Sequence, residues 1–273
     1  MTSRVKKWAL LIAGGCALVV LLAWVAVKHA PEHWREPLSV SRSPSAPPEP
    51  RQHPGSQRFH GQFGQDKWII RRVFPGVTDG YFVDVGAGDG IDGSNTKALE
   101  DLGWTGVAID PFPTNWEGRK CMLFREVVSS RKGEVVEFRV AGGAGGIDEH
   151  IGRWRDQVET SPLVKLTTTT IGDILERADA PSFIHYVSLD IEGAEYEALK
   201  GFPFSKYKVG AFTIEHNFEE PKRRQIRELL GMNGYRFVRQ QAVDDWYVSA
   251  DHRTWARPGS APLQRRRSSE PDE

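Results

Sequence analysis

The stretch "YFVDVGAGDG", Tyr81 to Gly90, decides the fold. Large apolar residues on either side of one aspartate run straight into glycines at 86, 88 and 90, the pattern of a buried strand that turns sharply into a loop. In an open α/β sheet the ligand sits beyond the carboxyl ends of the strands, and the first strand-to-helix turn is its usual contact. The dinucleotide fingerprint G-x-G-x-x-G needs a third glycine where this chain has Ile91, which argues against a nicotinamide guest. No G-x-x-x-x-G-K-[ST] occurs at this turn either, so it is not a P-loop. About twenty residues on, "GVAIDPFP" ends a second predicted strand at Asp110, where a carboxylate can accept two hydrogen bonds from ribose hydroxyls.

Outward from this turn, the pattern predicts strands at 81–85, 106–110, 123–128, 135–140, 184–190, 209–215, 235–239 and 246–249. Helices are predicted near 65–73, 94–102, 170–178, 195–201 and 221–232, with Ser94 or Asn95 capping the second and Gly103 closing it. Strands alternating with helices imply an α/β fold with a Rossmann-like, mostly parallel sheet, helices on both faces and an antiparallel strand at the C-terminal end. One domain is expected over 56–250.

The flanks differ from that domain. Residues 8–27, "WALLIAGGCALVVLLAWVAV", carry no charge, and at 1.5 Å per residue they span about the 30 Å of a hydrocarbon core. They read as a transmembrane anchor rather than a cleaved signal, because the apolar run exceeds an ordinary h-region and no small-x-small site ends it. Arg4, Lys6 and Lys7 precede the anchor, so the charge rule keeps residues 1–7 cytoplasmic in a single-pass membrane protein. Residues 28–55, rich in proline and serine, form a stalk too poor in large apolar side chains to order itself, and 251–273 form a similar tail. Lys+Arg and Asp+Glu are both 36, so nothing general favours nucleic acid as a partner. Two cysteines, Cys16 and Cys121, support neither a disulfide framework nor a zinc site.

Asp84 followed by Gly86, Gly88 and Gly90, with Asp110 downstream, resembles the S-adenosylmethionine site of class I methyltransferases. The resemblance narrows at "TTTTIGDILERADAPSFIHYVSLDIEGAEYEALKGF", Thr167 to Phe202, which is similar to the second half of FkbM-type methyltransferases at Asp190, Glu192, Gly193, Glu195, Leu199 and Gly201. "GQFGQD", Gly61 to Asp66, resembles a lead-in segment found in part of that family, with Gly61 replacing its serine. The resemblance covers roughly 61–248. It implies methyl transfer from S-adenosylmethionine to an oxygen nucleophile on a small-molecule or glycan acceptor, with Asp84, Gly86, Gly88, Gly90 and Asp110 on the donor and Asp190, Glu215 and His216 as catalytic residues.

Asp190, Glu215 and Asn217 would meet at neighbouring strand tips, which resembles the layout of metal-dependent O-methyltransferases and makes a divalent metal a further expectation. Other acids have plainer readings. Glu192 and Glu195 flank Gly193, where carboxylates stabilise a helix N-terminus; Asp89 and Asp92 are expected to form the turn. Phe112, Trp104 and Trp116 are expected in the core, Arg153, Trp154 and Arg155 at an acceptor pocket, and 141–146 in a loop able to act as a lid. An anchored domain on the far side of the membrane stands apart from donor made in the cytosol. A second function is therefore kept open: a catalytically silent methyltransferase-fold domain that serves as a membrane-held protein-interaction or trafficking module.

Overall fold

The computed structural model describes residues 57–252. The expected anchor at 8–27, the stalk and nearly all of the tail lie outside the described residues. Among the described residues no helix is long and apolar enough to cross a membrane.

Seven strands form the main sheet: β1 (Tyr81–Val85), β2 (Thr105–Ile109), β3 (Met122–Phe124), β8 (Phe183–Leu189), β9 (Lys208–Glu215), β10 (Tyr235–Gln241) and β11 (Asp244–Ser249). Their order is β10-β11-β9-β8-β1-β2-β3. β1 pairs in parallel with both β2 and β8, so the strand order reverses between β1 and β8, and the ends of these two strands open the crevice in which such sheets bind ligands. The expected antiparallel strand is β11, which runs against both β9 and β10.

Alternation along the strands sends apolar residues to both faces, as burial on two sides requires. Val83, Val85, Val187, Leu189, Phe212 and Ile214 pack under helices α4 (Ile171–Arg177), α5 (Glu195–Lys200) and α6 (Glu220–Met232). Phe82, Tyr186, Ala211 and Val248 face the other way, against Ile69, Phe74, Leu99 and Trp104. That second face is covered by a short helix α1 (Gln65–Trp68) running into a π-turn (Ile69–Val73), and by α2 (Lys97–Asp101). The side chain of Thr170 caps α4 by accepting from the backbone N–H of Asp173, while α6 starts at a proline and buries Arg223, Ile226 and Leu230 at helical spacing. The lead-in helix is tied to the last strand. Gln65 Nε2 donates to Asp244 Oδ2 at 2.8 Å, and Trp68 stacks on Trp246 with ring centroids 4.7 Å apart.

The middle of the chain departs from the sequence expectation. The strand expected at 123–128 is two strands, β3 in the main sheet and β4 (Val127–Val128), because the chain turns away after Phe124. β4 joins β5 (Val135–Arg139), β6 (Gly146–Ile147) and β7 (Leu163–Thr169) in a separate four-stranded sheet of order β4-β7-β5-β6. β7 was not anticipated, since its threonine run reads as the approach to α4; in the structure it pairs antiparallel with β5 and parallel with β4. The second helix begins at Lys97 rather than at 94. Ser94 still serves its start, its Oγ accepting from the N–H of Lys97 at 3.2 Å.

Leu199 is fully buried between α5 and the sheet. Leu199→Ala should lower the unfolding free energy by about 2–5 kcal/mol in a urea titration, without changing how the strand ends are arranged.

Candidate functional site

A cavity of about 620 Å³ opens at the tips of β1, β2, β8 and β9, with the second sheet as its far wall. The three glycines after β1 have different reasons to be glycine. At Gly86, φ is +80° and an added Cβ would collide with the carbonyl oxygen of Asp190, so the protein itself excludes a side chain there. Gly90 is not strained; a Cβ would sit 2.7 Å from the carbonyl oxygen of Asn115. Gly88, with φ +49°, lines the cavity as Gly86 does, but the nearest atom to its added Cβ is 4.0 Å away. Space beside Gly88 is thus left open by the protein.

Asp110 lies at the same turn. Its Oδ2 accepts from the N–H of Gly88 at 2.9 Å and its Oδ1 from the N–H of Phe112 at 2.7 Å. A carboxylate has about four lone-pair sites, so each oxygen keeps capacity for a hydroxyl in the cavity. Burial raises the Asp110 pKa, and these two N–H groups lower it without cancelling that rise.

Asp84 and Gly90 do not line the cavity. Asp84 is buried and accepts from Thr96 Oγ1 at 2.5 Å, while Thr96 Oγ1 also accepts from Arg119 Nη2 at 2.9 Å. Arg119 Nη1 donates to the carbonyl of Gly90 at 2.7 Å and to Ser94 Oγ at 3.2 Å, and its Nε pairs with Glu100 at 3.2 Å. One guanidinium therefore ties both ends of the loop that follows β1. Asp89 shapes the turn, its Oδ1 accepting from the N–H groups of Ile91 and Asp92. The lead-in segment reaches the same place: Gly61 bridges to Gly93, and Gln62 and Phe63 line the cavity.

Carboxylates gather at the tips of β8 and β9. Asp190, Glu192 and Glu215 each offer an oxygen within 4.8 Å of the others. Asn217 bridges two of them, its Nδ2 donating to Glu215 Oε2 at 2.6 Å and to Glu192 Oε2 at 3.1 Å. Asn217 Oδ1 is buried with no partner. Glu192 (φ +55°) and Asn217 (φ +46°) both sit in the left-handed region, a strained backbone for the glutamate. The turn carrying Glu192 is held by Glu195, whose Oε1 accepts from the N–H groups of Ile191 and Gly193 at 3.0 Å each. Glu192 joins the site although its spacing from α5 suggested a helix-terminus acid; its left-handed backbone turns it into the cavity.

His216 is not among the lining residues. Its Nδ1 accepts from the N–H of Phe218 at 2.9 Å, and its Nε2 faces Asp245 Oδ1 at 3.5 Å. The ring is thus directed toward the Asp245 cluster with Arg223 and Arg227 and not into the cavity where the sequence expectation put it. On the opposite wall, Phe112 is exposed rather than core and lies 5.6 Å from Phe138, and Arg153 stacks over Trp154 at 5.1 Å. Arg155, which opens the short helix α3 (Arg155–Val158), is turned away and pairs with Asp148. The glycine run at 141–146 forms a short 3-10 turn (Gly142–Ala144) and β6, and it lines the cavity.

The family of methyltransferase FkbM domains matches residues 84–237, more than half of the chain. The chain belongs to the FkbM methyltransferase domain family. None of the curated proteins shows significant similarity to it. The matched stretch runs from the end of β1 into β10 and takes in the whole carboxylate cluster.

Burial raises all three clustered acids: Asp190 to about 7 against a hydrogen bond with Glu215 that lowers it, Glu192 to about 8 with added repulsion from Asp190, and Glu215 to about 12 with added repulsion from Asp190 and Glu192. The Asn217 amide and the Trp154 indole N–H, the latter buried and short of a full hydrogen bond, favour ionised Glu192 but do not overcome its burial. Below about pH 4 both folded and unfolded chains hold these protons; above it the unfolded chain releases them, while the folded chain keeps that of Asp190 to about pH 7, that of Glu192 to about pH 8 and that of Glu215 beyond. Stability of the metal-free protein should therefore fall as pH rises through that window. Glu215→Gln should flatten the slope, as read by urea titrations at pH 5 and pH 8.

Proposed function

We propose that this family member is an S-adenosylmethionine-dependent O-methyltransferase, anchored to a membrane through residues 8–27, that acts on a hydroxylated acceptor such as a glycan. The observation that carries the reading is the pairing of Gly88 and Asp110 on one side of a cavity with Asp190 and Glu215 on the other. The donor side fits the nucleoside: the space beside Gly88 admits a close approach to backbone, and the free lone pairs of Asp110 suit the two ribose hydroxyls. S-adenosylmethionine, when bound, supplies an electrophilic methyl group on a sulfonium.

The chain's own residues do the rest. Asp190, at the end of β8 beside the Gly86 turn, has a pKa raised into the range of an effective general base and takes the proton of the acceptor hydroxyl. Glu215 shares a hydrogen bond with that carboxylate at the next strand tip, and Asn217 holds Glu215 in turn. Phe112, Phe138 and Trp154 give the acceptor an aromatic wall, and Arg153 adds a cation at its rim. Holding acceptor and methyl donor in line removes much of the entropic cost of a bimolecular step. Glycans suit this wall because sugar rings stack on aromatic faces while their hydroxyls reach carboxylates.

Calorimetric titration of S-adenosylmethionine, with NADH as the control, tests the reading. Saturable binding of the first alone is expected, and Asp110→Ala should weaken it at least tenfold, about 1.4 kcal/mol. Absence of binding by folded protein transfers the assignment to a silent, membrane-held interaction module. Anchoring has its own check: the full chain should remain with membranes after alkaline carbonate extraction, and a chain lacking residues 1–30 should not.

A further inference from the structure

We infer that Asp190, Glu192 and Glu215, completed by the side-chain oxygen of Asn217, form a binding site for one hard divalent cation of the magnesium or manganese class. Three carboxylates within 4.8 Å of one another match the geometry of a single ion, since two oxygens each 2.0–2.6 Å from one centre lie at most about 5 Å apart. The donor set is all oxygen, which selects hard cations over zinc or copper.

Asn217 supplies the independent observation. Its side chain is more than nine-tenths buried and is turned onto the carboxylates, yet its Oδ1 has no partner. A buried amide oxygen without a donor is costly. Turning the amide by 180° places that oxygen where the Nδ2 now meets Glu192 and Glu215, and a cation there would hold all four oxygens together. The indole N–H of Trp154, also without a full hydrogen bond, lies on the Glu192 side of the same cluster. Without a cation, three acids in one buried pocket must share protons; with one, their repulsion becomes coordination.

The cluster lines the same cavity as Gly88 and Asp110, so an ion there would meet an acceptor oxygen and lower the pKa of its hydroxyl. That use of the ion rests on the methyl-transfer reading, whereas its binding does not. The relevant experiment titrates manganese into the full-length protein in detergent, following free ion by electron paramagnetic resonance and melting temperature in parallel. One manganese per chain, displaced by magnesium, is expected, with a rise in melting temperature. Glu192→Gln and Glu215→Gln, which keep shape and remove charge, should each weaken manganese binding at least tenfold and abolish the thermal shift. Glu134→Gln, at an exposed acid paired with Arg131, should change neither.

Lack of saturable binding by folded wild-type protein, or equal binding by the two cluster variants, overturns the inference. A parallel S-adenosylmethionine titration separates the two ideas. Donor binding without manganese binding sinks the ion site and leaves the methyltransferase reading standing; manganese binding without donor binding does the reverse.

Discussion

The approach of two neighbouring strand ends sets the rest of the site. The carbonyl oxygen of Asp190, just past β8, occupies the volume that any side chain at residue 86 would need. Because Gly86 yields that space, β1 and β8 can end side by side at the point where the strand order reverses. The donor turn and the acidic tips then face one cavity instead of lying on separate edges. A glycine that looks like a ligand contact in the sequence is, in the structure, first a packing residue between two strands.

This juxtaposition explains why the acids are so strained electrically. Main-chain geometry fixed by the sheet brings Asp190 and Glu215 to adjacent tips, and the left-handed backbone at residue 192 adds a third carboxylate. Folding alone would not select such an arrangement, because burying like charges together costs stability. The compensating hydrogen bonds are few, Asn217 serving two acids with a single amino group. By contrast Asp245, buried in the same part of the fold, is held well below the usual carboxylate range by His216, Arg223 and Arg227 against the opposing effect of its burial. The two clusters show the difference between acids matched with cations inside the protein and acids left unmatched beside a cavity.

Much of this was legible in sequence, and the gaps have physical causes. The main sheet follows from period-two burial and apolar runs, and Gly88 with Asp110 follows from the spacing of a turn and the next strand tip. β7 escaped because "LTTT" has no strong apolar alternation, and its partners β4 and β5 are contacts that periodicity cannot see. Glu192 escaped because a glutamate two residues from a strand end and three from a helix looks like either; only its positive φ decides. Arg119 carried no motif, and its four-way grip on the glycine loop comes from residues scattered between Gly90 and Glu100. His216 had the right chemistry at the right strand tip, but a neighbour on β11, Asp245, turned it away.

The tie between Gln65 and Asp244 spans 179 residues of chain. Since α1 leads directly into the face that covers Phe82 and Tyr186, that face cannot close until β11 has left the ribosome. The growing chain would therefore hold an open sheet, apolar on its uncovered face, for most of the domain's synthesis. The last strand then acts as the latch of translation, and the time between making Gln65 and making Asp244 is the window in which that apolar underside is open to other chains.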